Sequence, residues 1–293
     1  MPELPEVETV RRALAPVLTG ARLEHVEIHD ARLVRPFDPA IVARELVGER
    51  VADVGRRGKY LIVRFDSGRA LLMHLRMTGS LRHAPRGALA DDPHARAVLI
   101  LDNGSDVSYR DVRRFGTWEL FERGDLAPYL HARLGPEPLG AFSARCLGTR
   151  LEGRRAPLKA ALLDQRTVAG LGNIYVDEAL WHSRIHPLRL AGSLDGDELA
   201  RLHRAIRRVL REGIARQGST LRDYALPDGS YGSMQHEFRV YGRGGEPCER
   251  CRTTLVRIVV GGRTTTFCPD CQTAESRGVN PIPHPLTERG SSG

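Results

Sequence analysis

The chain has 293 residues, 41% hydrophobic and 27% charged, enough apolar material for two cores and too much for bulk disorder. Lys and Arg total 44 against 36 acids, and the net charge of +8 points to a polyanionic partner, most simply nucleic acid. No apolar run is long enough to span a bilayer and the start, Met1-Pro-Glu-Leu-Pro-Glu6, lacks the apolar segment of a secretory leader, so a cytoplasmic, nucleoid-associated protein with no membrane partner is expected.

The first predicted element is a helix. Pro5 suits a first helical turn, and Val7, Val10, Leu14 and Leu18 recur near helical spacing. Hairpins follow, because strand-forming runs flank turn residues: Tyr60–Phe65 and Ala70–His74 around Asp66-Ser-Gly68, then Ala97–Leu101 and Val107–Tyr109 around Asn103-Gly104. Residues 1–133 therefore read as an antiparallel β-sandwich with a leading helix. A Gly/Pro-rich stretch, Leu134 to Gly140, opens a linker over 134–153. Residues 154–240 read as helical, with a short helix from Leu158, one from Tyr175 to about Ser183, and a longer one lined by Leu199, Leu202, Ile206, Val209 and Leu210. Within them, 218–236 carry Gly, Ser, Asp and Pro and read as a mobile loop. A cysteine module spans 241–272, and 273–293 read as a disordered tail. The expected class is α+β, multidomain.

Three features carry chemistry. Cys248-x₂-Cys251 and Cys268-x₂-Cys271 stand sixteen residues apart, the pattern of a tetrahedral site for one structural Zn²⁺. Four thiolates leave no open coordination position, so this zinc holds shape. The segment between the pairs turns at Gly261-Gly262, which puts Arg263 at a hairpin tip as a rigid probe for phosphate. Cys146 lies outside the pattern and reads as an ordinary thiol. Only two lysines, Lys59 and Lys159, stand among 42 arginines, and a lysine can give up a proton where an arginine cannot. Both are candidate chemical positions. Finally, removal of Met1 would expose Pro2 as a secondary amine, able to attack an aldehyde-like carbon and form an iminium electron sink.

The chain resembles the bacterial formamidopyrimidine-DNA glycosylases in a series of motifs that run in family order from residue 2 to about 272. They are Pro2-Glu-Leu-Pro-Glu-Val-Glu-Thr-Val10, Arg57-Gly-Lys-Tyr60, His74-Leu-Arg-Met-Thr-Gly79, Arg113-Arg-Phe-Gly116, Gly170-Leu-Gly-Asn-Ile-Tyr175, Tyr241-Gly-Arg243 and the four cysteines. The resemblance implies a catalytic N-terminal domain, a helix–two-turn–helix DNA-binding domain and a zinc finger. It implies a glycosylase and AP lyase that flips oxidised purines out of damaged duplex DNA and nicks the strand by β,δ-elimination, acting as a monomer. Pro2 would attack C1′, Glu3 would move protons around the opening sugar, Lys59 would serve β-elimination and Arg263 δ-elimination. Met77, Arg113 and Phe115 would fill the vacated stack. His94, Arg154 and Asn173 match the family's other DNA contacts, with His74 and Tyr241 as phosphate neighbours. Lys159, ahead of the helix–two-turn–helix, would touch a DNA phosphate.

Two departures stand out. The loop that covers the flipped base in the family commonly carries an aromatic before Gln, whereas here the run is Tyr231-Gly-Ser-Met-Gln235. Asp111-Val112 replaces a usual Asp-Pro, which should alter a turn slightly. An endonuclease VIII-like enzyme for oxidised pyrimidines is the alternative within the fold, but that branch typically begins Pro-Glu-Gly-Pro, and Leu4 stands here. A non-catalytic zinc-ribbon reader of damage is the alternative outside it, and the presence of Pro2, Glu3 and Lys59 argues against it.

Overall fold

A computed structural model describes residues 1–220 and 225–273, and the chain divides into two compact units. Unit one joins Met1–Arg133 to Glu212–Gln235; unit two joins Leu134–Arg211 to the chain from His236 onward. The expected tail, but for Thr273, and residues 221–224 of the expected loop lie outside the described residues.

Unit one begins with helix α1 (Leu4–Leu18), whose Val7, Val10, Leu14 and Leu18 are all buried in the core. Two four-stranded antiparallel sheets follow. One has the order β1 (Leu23–Ile28), β6 (Ala95–Leu101), β7 (Ser105–Asp111), β5 (Gly79–Pro85). The other has the order β2 (Val51–Arg57), β3 (Tyr60–Phe65), β4 (Ala70–His74), β8 (Thr117–Phe121). Period-2 alternation turns one face of each sheet inward, so Leu81, Leu99, Val107 and Tyr109 share a core with Leu61, Val63, Leu71 and Trp118. The Tyr109 and Trp118 rings meet edge-on, 5.5 Å apart. Short helices α2 (Pro39–Leu46) and α3 (Leu126–Arg133) complete the unit.

Unit two contains α4 (Ala144–Leu151), α5 (Leu158–Leu163), α6 (Asn173–Ser183) and most of α7 (Gly196–Ala215), then a hairpin of β9 (Val256–Val260) and β10 (Arg263–Phe267). The α4 helix lies inside the stretch expected as linker. Ser143 starts it by accepting the Cys146 N–H at 3.1 Å, and only Leu147 and Leu151 are fully buried, too few apolar positions for a visible period. A second difference concerns 212–235, expected to belong with the helices. It clusters with unit one, where its Leu226 enters the core.

Candidate functional site

At the start of α1, Pro2 and Glu3 are buried while Met1 is exposed. Glu3 is the N-cap, and the helix opens with a capping box. The Glu6 carboxylate accepts the Glu3 N–H at 2.9 Å with one oxygen. Its other oxygen accepts the Ser219 N–H at 2.8 Å and the Ser219 hydroxyl at 3.2 Å. Gly218 sits at φ +79°, and a Cβ there would approach Glu6 Cγ to 2.8 Å. One buried carboxylate thus clamps the chain's beginning to the base of the 218–236 segment. On the far side of that segment Met234 is buried, Tyr231 is 68% exposed, and the Gln235 side chain accepts the Thr220 N–H and donates to the Gly232 carbonyl.

Lys59 lies in the two-residue turn Gly58-Lys59 between β2 and β3, with Gly58 at φ +57°. Arg56 holds that turn against α1: its Nε lies 3.2 Å from Glu8 and its guanidinium donates to the Gly58 carbonyl at 2.8 Å. Burial works against the Glu8 charge, but hydrogen bonds from Arg11 and Arg12 and the charges of Arg11 and Arg56 prevail and hold the carboxyl at about 2. The clamp therefore stays ionised through neutral pH. His74 stands opposite Tyr60 in the β3–β4 register, their rings edge-on at 4.7 Å. Its Nδ1 accepts the Arg76 N–H at 2.9 Å, which leaves the ring proton on Nε2. Burial, then the charges of Arg76 and Lys59, lower its pKa to about 3. His74 is thus a neutral donor beside Lys59.

Two loops rise from the sheets, and one carboxylate joins them. Asp111 accepts the Thr78 hydroxyl and, at 2.7 Å, the Gly116 N–H, while Thr78 Oγ1 accepts the Arg113 N–H at 3.0 Å. Gly116 cannot be replaced without movement, because a Cβ would fall 1.7 Å from the Tyr109 hydroxyl. Arg76 and Arg114 adopt left-handed backbone, and each is followed by an exposed apolar side chain, Met77 at 42% and Phe115 at 50%. The Arg113 guanidinium lies 4.7 Å from the Phe115 ring centre. His94 joins the same base, its carbonyl accepting the Asp111 N–H at 3.0 Å.

In unit two, Gly172 caps α6 and Asn173 is its first residue. The Gln165 amide braces the preceding loop by accepting the Gly170 N–H and donating to the carbonyls of Leu163 and Leu171. The Asn173 amide donates to the Thr264 carbonyl at 3.0 Å, and Lys159 Nζ donates to the same oxygen at 3.0 Å. Thr264 follows Arg263, which is exposed just beyond the Gly261-Gly262 turn, where both glycines have positive φ. The hairpin tip is therefore fixed from α5 and α6 together. Arg154 pairs with Asp164 at 3.1 Å and stays partly exposed. Glu178 accepts the N–H groups of Arg239, Val240 and Tyr241, which sets the backbone at Tyr241. Below the hairpin the Sγ atoms of Cys248, Cys251, Cys268 and Cys271 all lie within 4.8 Å of one another. A tetrahedral ion at Zn–S distances near 2.3 Å needs sulfurs roughly 3.8 Å apart, so the cage fits. None of the four is in a disulfide, and the Trp181 indole N–H points to Cys248 Sγ at 3.5 Å.

Residues 1–118, 134–225 and 245–274 match, in turn, the families described as formamidopyrimidine-DNA glycosylase N-terminal domain, formamidopyrimidine-DNA glycosylase H2TH domain, and zinc finger found in FPG and IleRS. The formamidopyrimidine-DNA glycosylase of Heliobacterium modesticaldum is 47% identical over 93% of this chain and 100% of its own length. That of Novosphingobium aromaticivorans is 49% identical at the same coverage. The chain belongs to the formamidopyrimidine-DNA glycosylase family. Among solved structures, a mutant Lactococcus lactis FPG in complex with Fapy-dG-containing DNA superposes with a TM-score of 0.87 at 39% identity, covering 93% of this chain and all of that one. The Thermus thermophilus MutM (FPG) protein gives 0.82 at 44% identity, covering 92% and 98%.

The cysteine cage, in the stretch that matches the family's zinc finger, holds one structural zinc. Cys268→Ser is expected to lose the metal and abolish DNA binding while unit one stays folded, because the hairpin has too little core to hold itself. Metal analysis beside a DNA-binding titration checks this; active wild-type protein containing no zinc would contradict it.

The structure corrects one expected DNA contact. Lys159 has 0% exposure and forms an ion pair with Asp177 at 2.7 Å, so it cannot meet a phosphate at the surface. Burial raises the Asp177 carboxyl, and the Lys159 charge and hydrogen bond act against that rise. Lys159 is a positioning residue for the strand that carries Arg263. Lys159→Met should cost about 3–5 kcal/mol by leaving a buried carboxylate unpaired, and Lys159→Met with Asp177→Leu should recover most of it. Denaturant unfolding of both variants checks this. Four carboxylates that sequence reasoning missed, Glu6, Asp111, Asp177 and Glu178, brace the family's motifs. Their only sequence signal is position: Glu6 lies inside the Pro2–Val10 motif, Asp111 just before Arg113–Gly116, and Asp177 and Glu178 just after Gly170–Tyr175.

Proposed function

We propose that the chain is a bifunctional DNA glycosylase and AP lyase that excises oxidised purines, 8-oxoguanine and formamidopyrimidines, from duplex DNA. With Met1 removed, the Pro2 amine attacks C1′ of the flipped nucleotide; the N–C1′ bond forms and the bond to the base breaks. Glu3 protonates the sugar oxygen as the ring opens, leaving an iminium on Pro2. Loss of a C2′ proton then expels the 3′ phosphate, with Lys59 handling the proton, and Arg263 grips the phosphate lost in the δ step. Met77, Arg113 and Phe115 fill the gap, and His74, His94, Arg154, Asn173 and Tyr241 hold the backbone.

The observation that carries this reading is the start of α1, where Pro2 and Glu3 are buried, the Glu6 carboxylate holds the Glu3 N–H, and the Lys59 turn is tied to the same helix through Arg56 and Glu8. A structure neighbour bound to Fapy-dG-containing DNA supports purine lesions as substrates. Incision of duplexes carrying single lesions tests it. The reading requires 8-oxoguanine and formamidopyrimidine duplexes to be cut faster than oxidised-pyrimidine duplexes, and the reverse order would overturn it.

A further inference from the structure

Along α7 the arginines Arg201, Arg204, Arg208 and Arg211 recur at three- and four-residue spacing and are exposed, while Leu202, Ile206, Val209 and Leu210 turn inward. Arg201, Arg204 and Arg208, with Ala205 and with His182 from the last turn of α6, line a groove of about 320 Å³ within unit two. None of the four guanidinium groups has a hydrogen-bond or ion-pair partner among the described residues. Two other arginines whose charges reach His182, Arg239 and Arg250, are already committed. Arg239 pairs with Glu237 and Glu249, and Arg250 lies on the Trp181 ring and donates to its carbonyl. His182 is neutral: burial, then the charges of Arg208, Arg250 and Arg239, bring it to about 4. The groove therefore combines unpaired guanidiniums with a neutral ring that can donate or accept.

The groove lies at the opposite end of α6 from Asn173, nine residues and about 13 Å along the helix axis. It is therefore set apart from the DNA contacts assigned to the start of that helix.

We infer that this face of α7 is a second nucleic-acid site, which holds a phosphodiester backbone without reading its bases. The length fits: Arg201 to Arg208 spans about 10 Å of helix, as much as roughly three successive phosphates at 3.4 Å of rise each. A single small anion would leave much of that span unused. A protein partner would want an aromatic or aliphatic anchor, and among the described residues Ala205 is the only apolar one lining the groove. An enzyme that grips one duplex at its lesion site and another on α7 can pass between DNA segments as it searches.

The test uses the full chain with Arg201→Gln/Arg204→Gln/Arg208→Gln and the corresponding triple Glu variant, each first shown to melt as the wild type does. Two short undamaged duplexes carrying donor and acceptor dyes report bridging by energy transfer, with sedimentation confirming one protein per complex. Wild type should bridge at low salt and both variants should not. The salt slope of total binding should fall by about 2–3, since each phosphate that an arginine neutralises contributes about 0.9 to it. Single-turnover excision on a short lesion duplex should be unchanged. Equal bridging by wild type and variants would overturn the proposal. So would displacement from the groove by poly-glutamate or by inorganic tripolyphosphate but not by undamaged duplex, which would assign it to an acidic protein or a free polyphosphate.

Discussion

Protein carrying one extra residue ahead of Pro2 is expected to lose base excision altogether, by on the order of 10⁴–10⁶-fold, while still binding lesion DNA. An amide nitrogen has no lone pair to give, and removal of a nucleophile typically costs rate on that scale. Single-turnover excision on an 8-oxoguanine duplex reads the loss, and a binding titration reads the retained affinity. The fold should tolerate the extension, because Met1 already projects into solvent and the capping box at Glu3 and Glu6 involves neither Met1 nor the Pro2 nitrogen. Excision at the wild-type rate by the extended protein would place the nucleophile elsewhere.

Lys59→Arg is the second large effect, an expected slowing of about 10²–10⁴-fold with DNA affinity retained. The substitution keeps the positive charge beside His74 and the Glu8–Arg56 tie, but a guanidinium does not release its proton near neutral pH. Charge at position 59 is thus separated from proton transfer. A variant that excises and cleaves as fast as wild type would show that a fixed charge suffices there.

The features legible in the sequence are those written locally. The α1 core face follows from the spacing of Val7, Val10, Leu14 and Leu18, and the β9–β10 hairpin from Gly261-Gly262 between two CxxC pairs. Both depend on neighbours a few residues away. The clamps are invisible for the opposite reason. Glu6 meets Ser219 across 213 positions, and Lys159 reaches the Thr264 carbonyl across 105. Lys159 reads as a DNA contact because a lysine ahead of a DNA-binding motif looks the same whether it is exposed or buried against a carboxylate. Its rarity does mark a special position, one of structure and not of chemistry. The α7 arginines are hidden by abundance: among 42 arginines, four on one helix face carry no signal until three of them are seen to line one groove with no side-chain partner among the described residues. Helix α4 escapes because two buried leucines cannot set a period.

In the proposed mechanism the α-nitrogen of Pro2 forms the covalent link to the sugar. Borohydride added during turnover of an 8-oxoguanine duplex, followed by proteolysis and mass spectrometry of the cross-linked peptide, tests it most directly. A reduced adduct is expected in good yield, with the DNA remnant on the nitrogen of Pro2 and none on Lys59. An adduct mapped to Lys59, or rapid strand cleavage with no trapped adduct, would contradict it.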